Sequence, residues 1–479
     1  IGHLYDEVSA LVPAQSWLER TLRRPLTEVN LREQSRQGRD QVSIGNAITS
    51  LRQLALLDWR EVFEAQSRVE RVLRLEPAWA HAGMDFETRD SYRRAVEELS
   101  RASGAAEVQI ARVAVKLASG PSQLGAEADL RRHAGYYLVG AGRPELRAAL
   151  DCREPAGLRL RQWVYRHHTA LYLSGIALLA ASSLALWVRL AGRSLAGWPG
   201  VCLGILLLGP STQIAQEIVN YLVTRLLPPR TLPKMDFQKT GIPDAFRTLV
   251  VAPILMSDQL TVQVEAERLE IRFLANPEPN LLFSLFTDFS DADHPTLPGD
   301  AALLQTAVEC IQALNQRYGD GRFFLFHRGR TWAESEAKYI GWERKRGKLE
   351  ELNQLIDGTR PLEAPQLVYV GDADRLADVR FVITVDSDTG LPRDSARRMI
   401  ETLAHPLNQP RFDTRGSIAT GSYAIIQTRV SSTLTSATAT AFSRLFTDPV
   451  GIDPYTRAVS EVYQDLSGEG SYHGKGIYD

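Results

Sequence analysis

A run of twenty uncharged residues, from Thr169 to Val188, sets the strongest limit on how this chain can fold. Its length matches the hydrocarbon core of a bilayer, which a helix crosses in about 20 residues. A helix this long and this uniformly apolar is uncommon inside a soluble domain. The run therefore predicts a transmembrane helix that divides the chain into a part before it and a part after it.

A second uncharged run extends from Ser194 to Gln216 and, with the first, predicts a transmembrane hairpin at 166–227. Basic residues concentrate at the outer ends of the two spans: Arg153, Arg159, Arg161 and Arg166 lie before the first span, and Arg225, Arg230 and Lys234 lie after the second. The short connection carries only Arg189 and Arg193. By the positive-inside rule, we expect both flanking parts in the cytoplasm.

Length and composition narrow the function classes. The 479 residues are 44% hydrophobic, which is enough for several domains with their own cores. A formal net charge of −2 gives no reason to expect a nucleic-acid partner. Three widely separated cysteines, Cys152, Cys202 and Cys310, predict neither a disulfide framework nor a zinc site. Because the chain begins at Ile1 without a methionine, we expect it to be part of a longer polypeptide.

Residues 1–165 are predicted to form a helical cytoplasmic region, because apolar residues recur at helical spacing in 51–72 and 105–118. A proline-rich linker at 228–245 follows the hairpin. Two phrases stand out in the helical region, Met84–Arg93 and His133–Leu138. In the first, the spacing of Asp90 and Arg93 is typical of a solvated or interdomain helix face.

From 246 to 479 the pattern alternates between strands and helices. Strands are predicted at 248–255, 270–274, 281–286, 322–327 and 381–385, and helices at 261–270 and 301–318. This alternation is typical of a parallel, doubly wound, Rossmann-like α/β sheet. Ligands bind such sheets at the carboxyl edge. Pro253 and Asp288, predicted at strand ends, are therefore candidates for holding a uridine or ribose.

An acidic pair follows the last of these strands. Phe381 to Val385 run directly into Asp386 and Asp388, whose carboxylates point the same way if the chain stays extended. They are hard oxygen ligands suited to Mg²⁺ or Mn²⁺. A metal in this Asp-x-Asp arrangement can bridge the protein and the diphosphate of a nucleotide sugar. The sequence Asp-Ser-Asp-Thr-Gly is also typical of a turn that binds no metal, and that alternative stays open.

Two other enzymatic interpretations fail on spacing. An aspartic protease needs a second Asp-Thr/Ser-Gly for its carboxylate dyad, and the sequence has one such triplet, at Asp388. A phosphatase of the Asp-x-Asp-x-Thr type requires a threonine where this chain has Gly390.

A cluster of cations precedes a predicted helix. Apolar residues within 349–356 share one face, so a helix is expected to begin near Gly347. Four cations crowd its amino end, where the helix dipole disfavours them unless an anion is bound. A diphosphate held by backbone N–H groups, Arg346 and Lys348 would supply that anion. A solvated basic patch or a membrane-surface contact is the alternative.

These motifs resemble a known family. The segment 346–353 followed by FVITVDSDT resembles the Lys-x-Gly-Ala-Leu-Asn and Asp-x-Asp pair of inverting GT-A glycosyltransferases. Further phrases resemble the glycosyltransferase family 84 domain of cyclic β-1,2-glucan synthases: Gly341–Lys348, Ala404–Asn408, Gln427–Val430, Val462–Leu466 and Gly474–Asp479. The phrases at 84–93 and 133–138 resemble the N-terminal region of the same proteins. The chain departs from the family at Thr428, where a proline is expected.

The resemblance implies a multi-pass enzyme of the bacterial inner membrane, in contact with membrane lipid. Its GT-A-like domain, residues 246–479, would be cytoplasmic and incomplete at its carboxyl end. It implies UDP-glucose as donor, a divalent metal, a growing β-1,2-glucan as acceptor and inversion at the anomeric carbon. Asn353 joins the donor-binding candidates through the first motif. The expected base is Asp479, which closes the glycine-rich run, with Asp465 and Glu469 as alternatives.

In that family the growing glucan is primed on the protein itself. Tyr455 and Tyr463 are our candidates for the priming hydroxyl, because Asp-Pro and Gly mark a loop and a phenol projects far from the backbone. Packing of either tyrosine on the domain surface is the alternative.

Two alternative functions remain open. One is a synthase of another β-glucan, such as a cellulose-type β-1,4 enzyme, which the absence of a downstream Gln-x-x-Arg-Trp phrase disfavours. The other is a membrane-anchored carbohydrate-binding scaffold without turnover. An intact acidic pair beside an intact cationic helix start argues against that second alternative.

Overall fold

The structure of the chain is a computed structural model. It describes residues 8–78, 80–120, 126–152, 156–191, 197–227, 231–319, 321–362, 367–412, 422–428, 438–446, 462, 466–468 and 474–479. The chain divides into two compact units, Ile1–Arg68 and Val69–Asp479. The first contains helices α1 (Val8–Leu22), α2 (Leu26–Leu56) and α3 (Trp59–Gln66). None of the 31 residues of α2 is buried, so this helix adds no side chain to a hydrophobic core.

The second unit combines helices with a β-sheet. Its described helices are α4 (Arg68–Leu73, starting at the unit boundary), α5 (Phe86–Ser103), α6 (Glu107–Ala118), α7 (Ala126–Arg131), α8 (Ala134–Leu138), α9 (Arg143–Ala149), α10 (Ala156–Arg166), α11 (His168–Ala191), α12 (Trp198–Leu226), α13 (Gln259–Ala275), α14 (Asp300–Tyr318), α15 (Arg344–Ile356), α16 (Ala373–Ala377), α17 (Ser395–Leu403) and α18 (Ala441–Phe446). Its described strands are β1 (Thr248–Met256), β2 (Leu281–Phe289), β3 (Phe323–Arg328), β4 (Thr331–Ala333), β5 (Lys338–Ile340), β6 (Leu367–Val370), β7 (Phe381–Thr384), β8 (Ile425–Ile426) and β9 (Gly476–Tyr478).

Seven strands of the described chain form one sheet in the order β6-β3-β2-β1-β7-β9-β8. The four central strands β3, β2, β1 and β7 are parallel, whereas β6, β9 and β8 are antiparallel to the strands they join. Strands β4 and β5 pair separately. The α/β class with a parallel sheet centre is therefore confirmed, but the sheet as a whole is mixed.

Both faces of the parallel strands are covered by helices. Successive side chains alternate between two apolar cores, as the two-residue period of a strand requires. Val250 and Phe283 pack with α13, α14 and α17 on one face, and Leu249 and Leu282 pack with α15 and α16 on the other. All nine residues of β2 are buried, which explains its continuous apolar sequence. This is a doubly wound arrangement.

One predicted strand is wrong. Residues 270–274 form the last turns of α13, which continues to Ala275. The buried residues Val262, Ala266, Leu269 and Phe273 recur at intervals of four, three and four, which is the helical period. A short apolar run cannot be assigned from its own periodicity, and here the pattern of the preceding helix extends through it.

A buried ion cluster lies near the start of α5. Glu70 is fully buried, accepts a hydrogen bond from Arg93 Nη1 at 2.8 Å and lies 3.1 Å from His81 Nε2. Burial raises the pKa of Glu70, but its partners His81 and Arg93 outweigh burial and lower that pKa to about 2. The predicted Asp90–Arg93 pair forms at 3.4 Å. Arg93 is nevertheless buried, so of the two expected faces, solvated or interdomain, the solvated one is wrong for this residue.

A hydrogen-bonded chain of buried groups connects the helical region to the end of α17. Tyr92 Oη lies 2.8 Å from His133 Nε2 and 3.4 Å from His405 Nε2. His133 Nδ1 lies 2.9 Å from Glu76 Oε2, and because a carboxylate oxygen accepts, Nδ1–H donates to Glu76. All four side chains are buried. Three of the phrases that carry the family resemblance thus meet in one cluster.

The segment after α12 is held by backbone hydrogen bonds on two sides. Asp236 N donates to Gly83 O at 2.8 Å, next to α5, and Met235 N donates to Glu401 O at 2.9 Å, in α17. Part of the predicted linker at 228–245 is therefore packed into the second unit.

Helices α11 and α12 coincide with the two predicted spans. The helical segments His168–Leu190 and Trp198–Leu226, of 23 and 29 residues, are long and apolar enough to cross a membrane, by length and composition alone. Tyr172 Oη donates to Asn220 Oδ1 at 2.9 Å, and Ser183 Oγ donates to Ser211 Oγ at 3.4 Å. Because later residues of α11 contact earlier residues of α12, the helices pack antiparallel.

Candidate functional site

Strand β7 leads to the acidic loop at the carboxyl edge of the parallel strands. The guanidinium of Arg272, from α13, donates to three backbone carbonyls of this loop: Asp386 at 3.0 Å, Ser387 at 2.7 Å and Thr389 at 3.1 Å. Arg272 is 2% exposed, and burial lowers its pKa. Because three carbonyls converge on one buried cation, the loop has a fixed shape beneath its two carboxylates.

Two lysines contact Asp386. Lys345 Nζ donates to Oδ1 at 2.5 Å, and Lys475 Nζ lies 3.1 Å from Oδ2. Burial raises the pKa of Asp386, but the two ammonium groups outweigh burial and hold that pKa below its ordinary value. Lys345 also donates to Gly474 O at 2.5 Å. The acidic loop, the start of α15 and the glycine-rich run therefore meet at one point.

The two carboxylates suit a divalent metal that is shared with a ligand. Asp388 is exposed in the same loop as Asp386. Within the described part of the chain, no group of three or more His, Cys, Asp or Glu side chains is placed to hold a metal. Mg²⁺ is usually held by one or two carboxylates together with substrate phosphates and water. Asp386 and Asp388 are the residues that could take that partial role for Mg²⁺ or Mn²⁺.

The first turn of α15, which begins at Arg344, depends on close backbone approach. A Cβ on Gly347 would lie 2.1 Å from Trp342 O and 2.8 Å from Arg328 Nη1, so only glycine fits there. Glu343 and Arg344 have φ values of +51° and +37°, a region that residues other than glycine rarely adopt. Such strain persists only where the surroundings determine the backbone. Here it directs the next side chain, a lysine, to the acidic loop.

Lys348 and Asp288, both predicted to contact a donor, are buried together and pair with each other. Lys348 Nζ donates to Ile254 O at 2.6 Å and lies 3.0 Å from Asp288 Oδ2. Asp288 also accepts from Arg328 Nε at 2.5 Å. Burial lowers the pKa of Lys348, and Asp288 offsets part of that effect. A buried charge is costly without a partner, so these residues pair with each other and fix α15 to β1, β2 and β3.

Pro253 is not at a strand end. It lies within β1, which continues to Met256. Strand β7 pairs with β1 only as far as Val251, and Pro253 comes after that point. The missing proline N–H is tolerated where a strand is no longer paired on both sides.

Arg346 and Asn353 are both on exposed parts of α15. The Arg346 side chain is 72% exposed and lies 3.5 Å from Glu343 Oε2. Asn353 Oδ1 accepts a hydrogen bond from Tyr478 Oη at 2.9 Å. Asn353 is also about 12 Å along the helix axis from Lys345. Arg346 is thus open to a ligand, whereas Asn353 connects α15 to β9.

Asp479, the first choice for the base, lies at the opposite edge of the sheet. Strand β9 runs antiparallel to β7, with Tyr478 opposite Val382. The chain therefore leaves the acidic edge along β9, and Asp479 pairs with Arg380 Nη2 at 3.2 Å, before the start of β7. An extended segment from Arg380 to Asp386 spans about 20 Å. This distance removes Asp479 as a candidate base.

Four predicted site residues lie outside the described residues, and three residues that contact the acidic loop were not predicted from the sequence. Asp465, Glu469, Tyr455 and Tyr463 lie outside the described residues, so their roles stay predictions. Lys345, Lys475 and Arg272 contact the acidic loop, but the sequence did not single them out. Lys345 is one of four cations at the start of α15, and the sequence does not distinguish it from the other three. Lys475 lies between two glycines, and that position in a glycine-rich run could have indicated a ligand-binding cation. Arg272 fell in a segment interpreted as a strand.

No protein-family model matches the chain. The chain is 34% identical over 480 residues to the cyclic beta-(1,2)-glucan synthase NdvB of Rhizobium meliloti (strain 1021). The similarity covers 97% of this chain, which spans 16% of the length of that protein. The resemblance to cyclic β-1,2-glucan synthases is therefore confirmed along almost the whole chain.

The first turn of α15 can be tested with Gly347→Ala. The added methyl group would clash with Trp342 O, and overpacking of this kind typically destabilises by about 1–3 kcal/mol. Gly299→Ala is the matched control, because a Cβ there meets nothing within 4 Å. We expect the thermal midpoint of the full chain in detergent to fall in the first variant and to stay near wild type in the second. Equal midpoints in both variants would contradict the tight turn.

Proposed function

We propose that this chain carries the donor-binding site of an inverting, metal-dependent GT-A glycosyltransferase that uses UDP-glucose to extend a β-1,2-glucan. The main support is the position of Asp386 and Asp388 at the carboxyl edge of a parallel sheet, beside Lys345 and Lys475. Ligands of open α/β sheets bind at that edge. The similarity to a cyclic beta-(1,2)-glucan synthase supports a β-1,2-glucan as the product.

The charged groups at this edge suit a nucleotide diphosphate. Asp386 and Asp388 would hold Mg²⁺ or Mn²⁺, which when bound stabilises the negative charge of a leaving diphosphate. Lys345 and Lys475 lie next to the same carboxylate, so their ammonium groups would be within contact of the phosphate oxygens of a metal-bound diphosphate. Arg346, exposed on α15, is a further cation for the phosphates. Arg272 keeps the carboxylates in place from below.

Inversion requires an acceptor hydroxyl that attacks the anomeric carbon from the side opposite UDP. The new C–O bond forms as the bond to the diphosphate breaks, and a carboxylate takes the hydroxyl proton. Asp465 and Glu469 are the proposed candidates for this base. They precede Lys475 in the chain by ten and six positions, and Lys475 contacts the acidic loop.

The donor site is tested by Asp386→Asn and Asp388→Asn. Loss of a residue that only hydrogen-bonds to a metal-coordinating side chain typically weakens metal binding roughly 10–100-fold. Asp386 and Asp388 would coordinate the metal directly, so we expect each substitution to weaken Mn²⁺-dependent UDP binding by more than that. Transfer of glucose from UDP-glucose should fall with it. Asp479→Asn is the matched control and should bind like wild type, because Asp479 lies at the other edge of the sheet. Calorimetry on the full chain measures all four proteins. Wild-type UDP affinity in both loop variants would contradict the proposal.

We also propose that α11 and α12 cross the bacterial inner membrane as a hairpin, with both flanking parts in the cytoplasm. Large apolar side chains on both helices are exposed, including Leu178 at 69% and Leu206 at 72%. Lipid contact would remove such surface from water. The basic residues at the outer ends of the hairpin favour this orientation.

The orientation is tested by cysteine labelling. Cys152, Cys202 and Cys310 are first replaced by serine, and single cysteines are then placed at Ser194 or Gln238. An impermeant maleimide should label position 194 in intact spheroplasts and position 238 only after permeabilisation. If both positions need permeabilisation, α11 and α12 do not form a hairpin across the membrane.

A further inference from the structure

Lysine ammonium groups occupy both carboxylate oxygens of Asp386. Lys345 lies 2.5 Å from Oδ1 and Lys475 lies 3.1 Å from Oδ2. A divalent cation bound by Asp386 would coordinate one or both of the same oxygens. Because the ammonium groups and the cation are all positively charged, they repel one another at this carboxylate and compete for it.

We propose that Lys345 and Lys475 are exchangeable counter-ions of Asp386 that make metal binding and diphosphate binding depend on each other. This inference rests on the proposed donor site. It goes further by assigning the two lysines a coupling role rather than phosphate contact alone.

The charge balance at this edge supports the coupling. Two lysines and two aspartates, Asp386 and Asp388, give a local sum near zero. A divalent cation that arrives alone weakens both ion pairs and adds positive charge beside two ammonium groups, although Lys345 keeps its hydrogen bond to Gly474 O. A diphosphate supplies negative oxygens for the released lysines, with charge-assisted hydrogen bonds. The cation and the diphosphate therefore bind better together than separately.

The structure leaves Lys345 and Lys475 free to exchange partners. Their side chains are 33% and 22% exposed, against 5% for Lys348, which is fixed by Asp288 inside the protein. A lysine has a flexible four-carbon stem, so its ammonium can move without backbone motion. Lys475 also follows Gly474, whose φ of +76° is one that glycine adopts easily.

Coupling of this kind is reciprocal, because each ligand changes the affinity of the other by the same factor. Removal of one lysine should reduce this shared factor. It should change the affinity for metal alone and the affinity for nucleotide with metal in opposite directions. The metal alone should bind more tightly, because it no longer displaces that ammonium. The nucleotide should bind more weakly in the presence of metal, because one phosphate partner is lost.

The experiment is a Mn²⁺ titration of the full chain in detergent, with and without UDP, followed by calorimetry. The variants are Lys345→Met and Lys475→Met, and Lys338→Met in β5 is the matched control because its side chain is exposed on a separate hairpin. In each site variant, we expect Mn²⁺ alone to bind about two- to fivefold more tightly, the range typical of an exposed ion pair. UDP with Mn²⁺ should bind roughly 10- to 100-fold more weakly. The control should match wild type.

The outcomes separate this inference from the donor-site proposal. If Mn²⁺ alone binds both lysine variants as it binds wild type, or more weakly, the counter-ion role is overturned while the donor site stands. An unchanged ratio of Mn²⁺ affinities with and without UDP would also overturn it. If neither wild type nor any variant binds Mn²⁺, even with UDP, both the donor site and the inference fail.

Discussion

Parallel pairing of β1 with both β2 and β7 is the constraint on which the rest of this structure depends. Thr248 lies opposite Leu281 on one side and Phe381 on the other, so the three strands start together and point the same way. Their carboxyl ends must then share one edge, and the residues after β7 are the acidic loop. Antiparallel β9 begins at that edge, so Lys475 lies near Asp386 and the chain then leads away from it.

Buried charge fixes the cationic helix start over this edge. Arg328 on β3 donates to Asp288 on β2 and to Glu351 on α15, and Lys348 joins the same cluster. Removing one partner of such a buried set typically costs about 3–5 kcal/mol, because an unpaired charge is left inside. The four cations in the first turns of α15 therefore have different roles. Lys348 anchors the helix internally, and Lys345 extends to the acidic loop.

The sequence predicts a strand correctly where burial on both faces produces an unbroken apolar run. Strands β1, β2, β3 and β7 are buried on both faces, so each appears as an apolar run, and the acidic pair directly follows one of them. It failed where tertiary packing decides. Which of four adjacent cations turns inward depends on Asp288, far away in the sequence. The edge on which Asp479 lies depends on the antiparallel direction of β9, which no local pattern specifies.

The buried cluster of Tyr92, His133 and His405 shows the same limit. Each residue lies in a sequence segment that resembles the family, but the three side chains meet only because the helical region packs beside α17. The contacts of Asp236 with Gly83 and of Met235 with Glu401 place the chain after α12 between these two parts. The helical part from residue 69 onward is therefore integrated with the sheet that carries the acidic loop.

The most direct measurement is a crystal structure of the chain grown with UDP and Mn²⁺, in which anomalous scattering locates the metal. We expect one Mn²⁺ ion bound by Asp386 and Asp388 and by oxygens of the UDP diphosphate. Lys345 and Lys475 should then contact phosphate rather than Asp386. A Mn²⁺ and UDP site away from the carboxyl edge of β7, or an Asp386 that keeps both lysines while UDP and Mn²⁺ are bound, would contradict it.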